Sequence, residues 1–125
     1  MSKITEHFSW EEFTCHNGEL VPEKFMSNTT KLCKNLEILR ESLGESVKII
    51  SGYRSPAYNK SVDGAKNSYH MTASAADIQA STKSTKQVYD TILSLISEGK
   101  IVNGGVGLYE TWVHYDIGPT RRWKG

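Results

Sequence analysis

The stretch from Leu32 to Gly52 constrains the fold more than any other. Leu32, Leu36, Leu39 and Leu43 recur at helical spacing, and Gly44 stands where a helix commonly ends. The β-branched run Val47-Lys48-Ile49-Ile50-Ser51 follows at once, bounded by Gly44 and Gly52. A helix starting at Ser27 or Asn28 and running to Leu43 must therefore bury its leucine stripe near a short strand that starts almost where it stops.

The rest of the chain repeats this alternation. Ser84 to Glu98 reads as a second amphipathic helix, with Val88, Ile92, Leu95 and Ile96 inward and Gly99 at its end. Ala75-Ala76-Asp77-Ile78-Gln79 reads as a second strand, and residues 55 to 64 as a helical turn before a loop. Gly105–Tyr109 and Trp112–Ile117 bracket Glu110-Thr111 as the arms of a hairpin would. Ser9-Trp10-Glu11-Glu12-Phe13 has a Ser with Glu three residues later, the signature of a short capped turn. Two helices and a small, mainly antiparallel sheet predict an α+β fold, read as one domain over residues 1–125.

Composition removes several classes of function. At 125 residues the chain can build a core without disulfide staples. Fifteen Lys and Arg against fourteen Asp and Glu leave a net charge of +1, so no overall field selects nucleic acid or an anionic membrane. The basic run Arg121-Arg122-Trp123-Lys124 is the one feature favouring nucleic acid, and it reads as a solvated terminus. There is no apolar run of membrane-spanning length, and Met1–His7 lacks the apolar core of a secretory signal, so the expected place of synthesis is the cytoplasm. Neither nucleic-acid binding nor membrane insertion is expected, and the chain is read as a monomer. Cys15 and Cys33 form neither a CxxC pair nor a disulfide framework and are read as reduced thiols. Cys15-His16 as a metal pair is disfavoured, because adjacent residues seldom share one ion.

Chemistry concentrates in two distant segments, Ser68–Asp77 and Trp112–Asp116. His70, Asp77 and His114 would supply three ligands to a catalytic zinc and leave its fourth position to water. A strand's period of two puts Trp112, His114 and Asp116 on one face, where Asp116 could hydrogen-bond a ligand or stabilise the loop around the site. Taken singly, each of these residues could as well be structural: a hydrogen-bonded strand histidine, a turn aspartate, a salt-bridged Arg54. Spacing alone leaves the two readings open.

The order of Ser51-Gly52-Tyr53-Arg54-Ser55-Pro56, Asn59, Gly64–Ser68, His70, Ala75-Ala76-Asp77-Ile78 and Val113-His114-Tyr115-Asp116 resembles the M15 family of zinc peptidases. The likeness covers roughly residues 4 to 118 and is greatest to D-alanyl-D-alanine carboxypeptidases and phage peptidoglycan peptidases. It implies a hedgehog or D-Ala-D-Ala peptidase-like fold and one zinc per chain, held by His70, Asp77 and His114. It also implies that Arg54 orients substrate or stabilises the developing oxyanion, and that Ser68 shapes the loop before His70. The implied substrate is the stem peptide of bacterial peptidoglycan, cut at a bond involving a D-amino acid by a carboxypeptidase or an endopeptidase. Tyr53, Tyr69, Tyr109 and Trp112 lie close to the motifs in sequence and are candidates to line the cleft. An origin in a phage or prophage, with action on the cell wall, is the expected setting.

The pattern departs from the family at two positions. Ala73 stands where a glycine is common, and Thr111 where an Asp or Glu general base is common. Glu110 is then the candidate base, with Asp116 more structural in role. A general base contributes about a hundredfold to ten-thousandfold, so the alternative is a zinc-bearing protein that is catalytically weak or inactive and serves binding or structure.

Overall fold

The computed structural model describes residues 2–125. Helix α1 (Met26–Leu43) follows a 3-10 turn at Glu23–Phe25, which carries the chain into the helix without a side-chain cap. It therefore starts one or two residues before the Ser27 or Asn28 that the sequence suggests. Its end is the predicted one: Gly44 adopts φ 71° and its N–H reaches the carbonyls of Arg40 and Glu41, satisfying groups that would otherwise be orphaned. Strand β1 (Val47–Ser51) leads to the short helix α2 (Pro56–Ser61), where Ser55 accepts from the Tyr58 N–H and Pro56 opens the first turn. A 3-10 turn at Tyr69–Thr72 precedes β2 (Ala75–Ala80), and α3 (Thr85–Ser97) starts from a capping box of Ser84 and Gln87. The last strands are β3 (Gly105–Leu108), β4 (Val113–Asp116) and β5 (Arg121–Lys124).

The five strands form one mixed sheet in the order β1-β2-β4-β3-β5, with every pair antiparallel except β3 and β5. Three helices and one sheet make this an α+β fold. The basic tail departs from the expectation of a solvated end. Arg121–Lys124 is a parallel edge strand, because the connection after Asp116 turns back and pairs the tail with β3 in the register Gly105↔Arg121 and Gly107↔Trp123.

The sheet's two faces differ in chemistry. Ala76, Ile78, Val106, Val113 and Tyr115 alternate onto one face and pack with Leu32, Leu36 and Leu39 of α1 and Val88, Ile92 and Leu95 of α3. Burying each of the larger aliphatic side chains contributes about 1.5–3 kcal/mol. Leu36, with no exposed surface, would cost about 2–5 kcal/mol on truncation to alanine. Tyr89 joins this core although the leucine-isoleucine pattern does not single it out. Cys15 and Cys33 are free and buried, and burial pushes the Cys33 thiol upward, so it behaves as a small apolar side chain. The opposite face carries Asp77, His114 and Asp116.

Candidate metal centre

Three backbone devices bring distant residues together on the open face of the sheet. The first is a register irregularity in β1: Ile49 pairs with Ile78 and Ser51 with Asp77, so Ile50 is an extra residue that bends the strand. Beyond the bend, the Arg54 N–H donates to the His70 carbonyl at 3.0 Å. The His70 ring returns the tie, its Nδ1 lying 2.7 Å from the Gly52 carbonyl. Gly52 leaves room for Phe13 on its other side, since a Cβ there would meet the Phe13 ring at 2.6 Å.

The second device is the turn that presents His70. Ser68 accepts from the His70 N–H at 3.1 Å, and Ala73 ends the turn with φ 55° and ψ 31°. That is the left-handed region which glycine enters at least cost, so the residue commonly found there in the family has a conformational reason. Ala73 is held in place by α1: Thr29 Oγ1 donates to its carbonyl at 2.9 Å, and Asn28 donates to the neighbouring Thr72 carbonyl at 3.0 Å.

The third device is the sheet register, which sets Asp77 directly beside His114 and Ala75 beside Asp116. Gly107 and Gly105 continue these two rows on β3, and Trp123 and Arg121 complete them on β5. A Cβ on Gly107 would overlap the Trp123 indole, and one on Gly105 would overlap Asp116 and Arg121. The two glycines leave the space that the β5 side chains occupy.

His70, Asp77 and His114 are all buried and offer one donor atom each, all within 4.8 Å of one another. Asp77 Oδ1 lies 3.3 Å from His70 Nε2 and 3.1 Å from His114 Nδ1. Ligands bound tetrahedrally at 2.0–2.2 Å from zinc stand about 3.3–3.6 Å apart, so these two separations come near what such an ion needs. The outer hydrogen bonds agree with that role. A carbonyl can only accept, so His70 donates from Nδ1 to Gly52 and turns the lone pair of Nε2 inward. His114 Nε2 stands 2.7 Å from Asp116 Oδ2, which leaves Nδ1 as its inward atom. Neutral rings in these tautomers would aim two nitrogen lone pairs at the Asp77 carboxylate, as ligands sharing a cation do, whereas protonated rings would donate to it.

The electrostatics follow from that convergence. Burial pushes the Asp77 carboxyl up, but hydrogen bonds and charge from His114 and His70 outweigh it and hold the group well below the usual carboxylate range. Burial likewise pushes His114 down, and its hydrogen bonds to Asp116 and Asp77 more than offset this, leaving it raised. Asp116 has no exposed surface, yet hydrogen bonds from His114, Arg121 and the Gly118 N–H overcome its desolvation and keep its pKa at about 2.

Arg54 stands beside the triad, with Nη2 3.2 Å from Asp77 Oδ2, Nε 3.2 Å from Ser51 Oγ and Nη1 3.4 Å from Asn59 Oδ1. Ser68, Tyr69, Tyr109, Trp112 and Asp116 line the same cleft of about 300 Å³. Two residues expected in the site lie elsewhere. Tyr53 points into the core, 6% exposed, because the extended backbone that aims Arg54 outward aims its neighbour inward. Glu110 is exposed at the hairpin tip and faces a separate depression with Gln79 and Lys83, so it stands outside the cleft, and Thr111 lies there with it.

Arg121, Trp123 and Asn59 were not singled out as site residues. Arg121 and Trp123 line the cleft, and buried Asn59 props Arg54 while its amide donates to the Ala65 carbonyl at 2.9 Å. The period-two spacing of Arg121 and Trp123 was the available signal, and it reads as strand once the tail is allowed to pair. Asn59 had only its place in the resemblance.

A family model described as Peptidase M15 matches residues 6–116. A relative described as "Probable peptidoglycan L,D-endopeptidase MepK", from Haemophilus influenzae, is 38% identical over an alignment 86 residues long that covers 63% of this chain and 43% of that protein. The chain thus spans less than half the length of this relative. With the family pattern matched over most of its length and the His-Asp-His cluster assembled on one sheet face, the chain belongs to the M15 peptidase family.

Proposed function

We propose that this protein is a zinc-dependent peptidase that hydrolyses peptide bonds of bacterial peptidoglycan, acting within the stem peptide as an endopeptidase. The observation that carries the reading is the convergence of His70 Nε2, Asp77 Oδ1 and His114 Nδ1 in the cleft, with the outer nitrogen of each ring facing an oxygen of its own, the Gly52 carbonyl for His70 and the Asp116 carboxylate for His114. When bound there, zinc would polarise the scissile carbonyl and acidify a water molecule. Arg54 is fixed by Ser51, Asn59 and Asp77, and each of its terminal nitrogens keeps a second N–H to offer to an oxygen that gains negative charge. Ser68 and Asn59 hold the segments on which His70 and Arg54 stand.

The endopeptidase assignment rests on the cleft's shape. A second hollow of about 230 Å³, lined by His16, Ile50, Ser51 and Tyr58, shares Arg54, Val62, Asp77 and Trp112 with the first. Two adjoining hollows that meet at Arg54 and Asp77 suit a substrate longer than a single terminal residue. The name of the Haemophilus influenzae relative supports peptidoglycan as the substrate.

A second reading has its own observation. Glu110 and Thr111 both lie outside the cleft, and Asp116 is fully buried and hydrogen-bonded, so the family's usual base has no obvious replacement among the described residues. That favours a metal-bearing wall-binding protein with weak turnover. The experiment is a muropeptide digest by the zinc-loaded protein, with and without chelator, followed by mass spectrometry. Chelator-sensitive cleavage inside the stem peptide supports the peptidase. About one zinc per chain with intact muropeptides overturns it in favour of the binding protein.

A further inference from the structure

The cleft holds a second guanidinium whose hydrogen bonding is incomplete. Arg121 Nη2 lies 2.7 and 2.8 Å from the two Asp116 oxygens, and its Nε donates to the Pro119 carbonyl at 3.0 Å. Its Nη1, with two N–H groups, has no hydrogen-bond partner among the described residues. Arg54 differs, for all three of its nitrogens have internal acceptors. The Arg121 guanidinium also lies 4.8 Å from the centre of the Tyr69 ring and 5.5 Å from that of Trp123, so two aromatic surfaces fix its plane. With its side chain 38% exposed and lining the cleft, it is reachable from solvent without movement.

We infer that Arg121 is a specificity residue: its Nη1 edge grips a carboxylate carried by the substrate peptide in the arm of the cleft nearest β5. This rests on the peptidase reading for the nature of the ligand. A guanidinium anchored on one edge by a buried carboxylate has little rotamer freedom left to lose, and its free edge offers charged donors in a fixed direction. The anchor is itself secured, since Asp116 also accepts from the Gly105 N–H at 3.0 Å and the Gly118 N–H at 2.9 Å. Gly105 leaves the room in which this arrangement sits. Trp123, 5.0 Å from the His114 ring and donating from Nε1 to the Tyr109 hydroxyl at 2.7 Å, walls the same arm. The carboxylate could be the peptide's C-terminus or a branch carboxylate along the stem.

The test uses the zinc-loaded protein and a synthetic stem tetrapeptide in three forms: with free carboxylates, amidated at the C-terminus, and amidated at its branch carboxylates. Binding is read by tryptophan fluorescence titration, and zinc content by atomic absorption. Wild type should bind the free form roughly 10- to 100-fold more tightly than one of the two amidated forms, and which one identifies the carboxylate. Arg121→Gln should erase that difference with zinc content unchanged. Arg121→Lys, which keeps the charge against Asp116, guards against misfolding and should reduce the preference while leaving zinc bound.

An equal loss for all three forms in Arg121→Gln, or no preference in wild type, overturns the inference. Loss of zinc in both variants also overturns it and makes Arg121 a positioning residue acting through Asp116. Arg121-dependent binding without cleavage would instead sink the peptidase reading alone. Cleavage indifferent to amidation would sink the carboxylate grip alone.

Discussion

His114 Nε2 stands 2.7 Å from Asp116 Oδ2, two residues along the same strand and on the same face. That contact decides which nitrogen of His114 points at Asp77, so it governs the candidate metal centre from outside it. Asp116 is in turn held by Arg121 and by the N–H groups of Gly105 and Gly118.

Asp116→Asn is therefore expected to weaken zinc affinity by about 10- to 100-fold without removing a ligand. A zinc competition titration against a chromophoric chelator measures it, with far-ultraviolet circular dichroism to check the fold. Affinity equal to wild type would mean that the tautomer is set in some other way.

Zinc should also stabilise the folded chain, because a ligand that binds only the native state adds about 2.7 kcal/mol at a hundredfold excess over its Kd. Melting curves should shift upward with zinc for wild type and stay unmoved for His70→Ala. A variant that melts higher with zinc to the same degree would place the ion elsewhere.

Ala73 and Ala76 are equally buried but differ in backbone conformation, φ 55° against an extended strand. Ala73→Gly loses a buried methyl and gains relief from a left-handed conformation, two effects of about 1 kcal/mol that oppose each other. It should stay within about 0.5 kcal/mol of wild type in urea unfolding, whereas Ala76→Gly should lose about 1–2 kcal/mol because both terms act the same way. Equal losses at the two positions would contradict the argument.

Gly107→Ala should force the Trp123 indole off the sheet, since the new methyl would occupy its place. Overpacking of this kind costs about 1–3 kcal/mol. The urea midpoint should fall, and combining the change with Trp123→Ala should recover most of the loss. A double variant no better than the single would mean that the methyl strains the backbone instead.

Glu45 ties the segment before α3 to the end of α1, accepting from the Thr82 N–H and hydroxyl at 2.6 Å each and from the Lys83 N–H at 3.0 Å. These bonds lower its pKa from 4.5 to about 2. A carboxylate depressed in the folded state stabilises above its unfolded pKa, and that contribution is lost as pH falls through the folded value. The difference in Tm between wild type and Glu45→Gln should be full at pH 6, shrink below about pH 4.5 and vanish near pH 2. A constant difference across that range would rule out ionisation as its source.

Helix ends and strand identities were legible because they are local. Gly44 after Leu43, Ser84 with Gln87, and the alternation through Val113-His114-Tyr115-Asp116 each carry their own physical reason within a few residues. The side-chain period of two likewise put Trp112, His114 and Asp116 on one face, where the cleft has them. Tyr53 was a cleft candidate by its nearness to Arg54 in sequence, and no local pattern says which of two successive residues after a strand turns inward. Glu110 was misplaced for a related reason. Nearness to His114 in sequence says nothing about which side of a hairpin tip a side chain faces.

What the sequence alone determined is the three helices, four of the five strands and the residue types that could hold a metal, because propensity, capping and periodicity act over one or two turns of chain. Only the tertiary structure decided which nitrogen of each histidine turns inward. That depends on Gly52 and Asp116 arriving from other segments to take the opposite proton. It also decided that the basic tail belongs to the site, since an edge strand is recognised by the partner it pairs with and by the glycines that make room for its side chains.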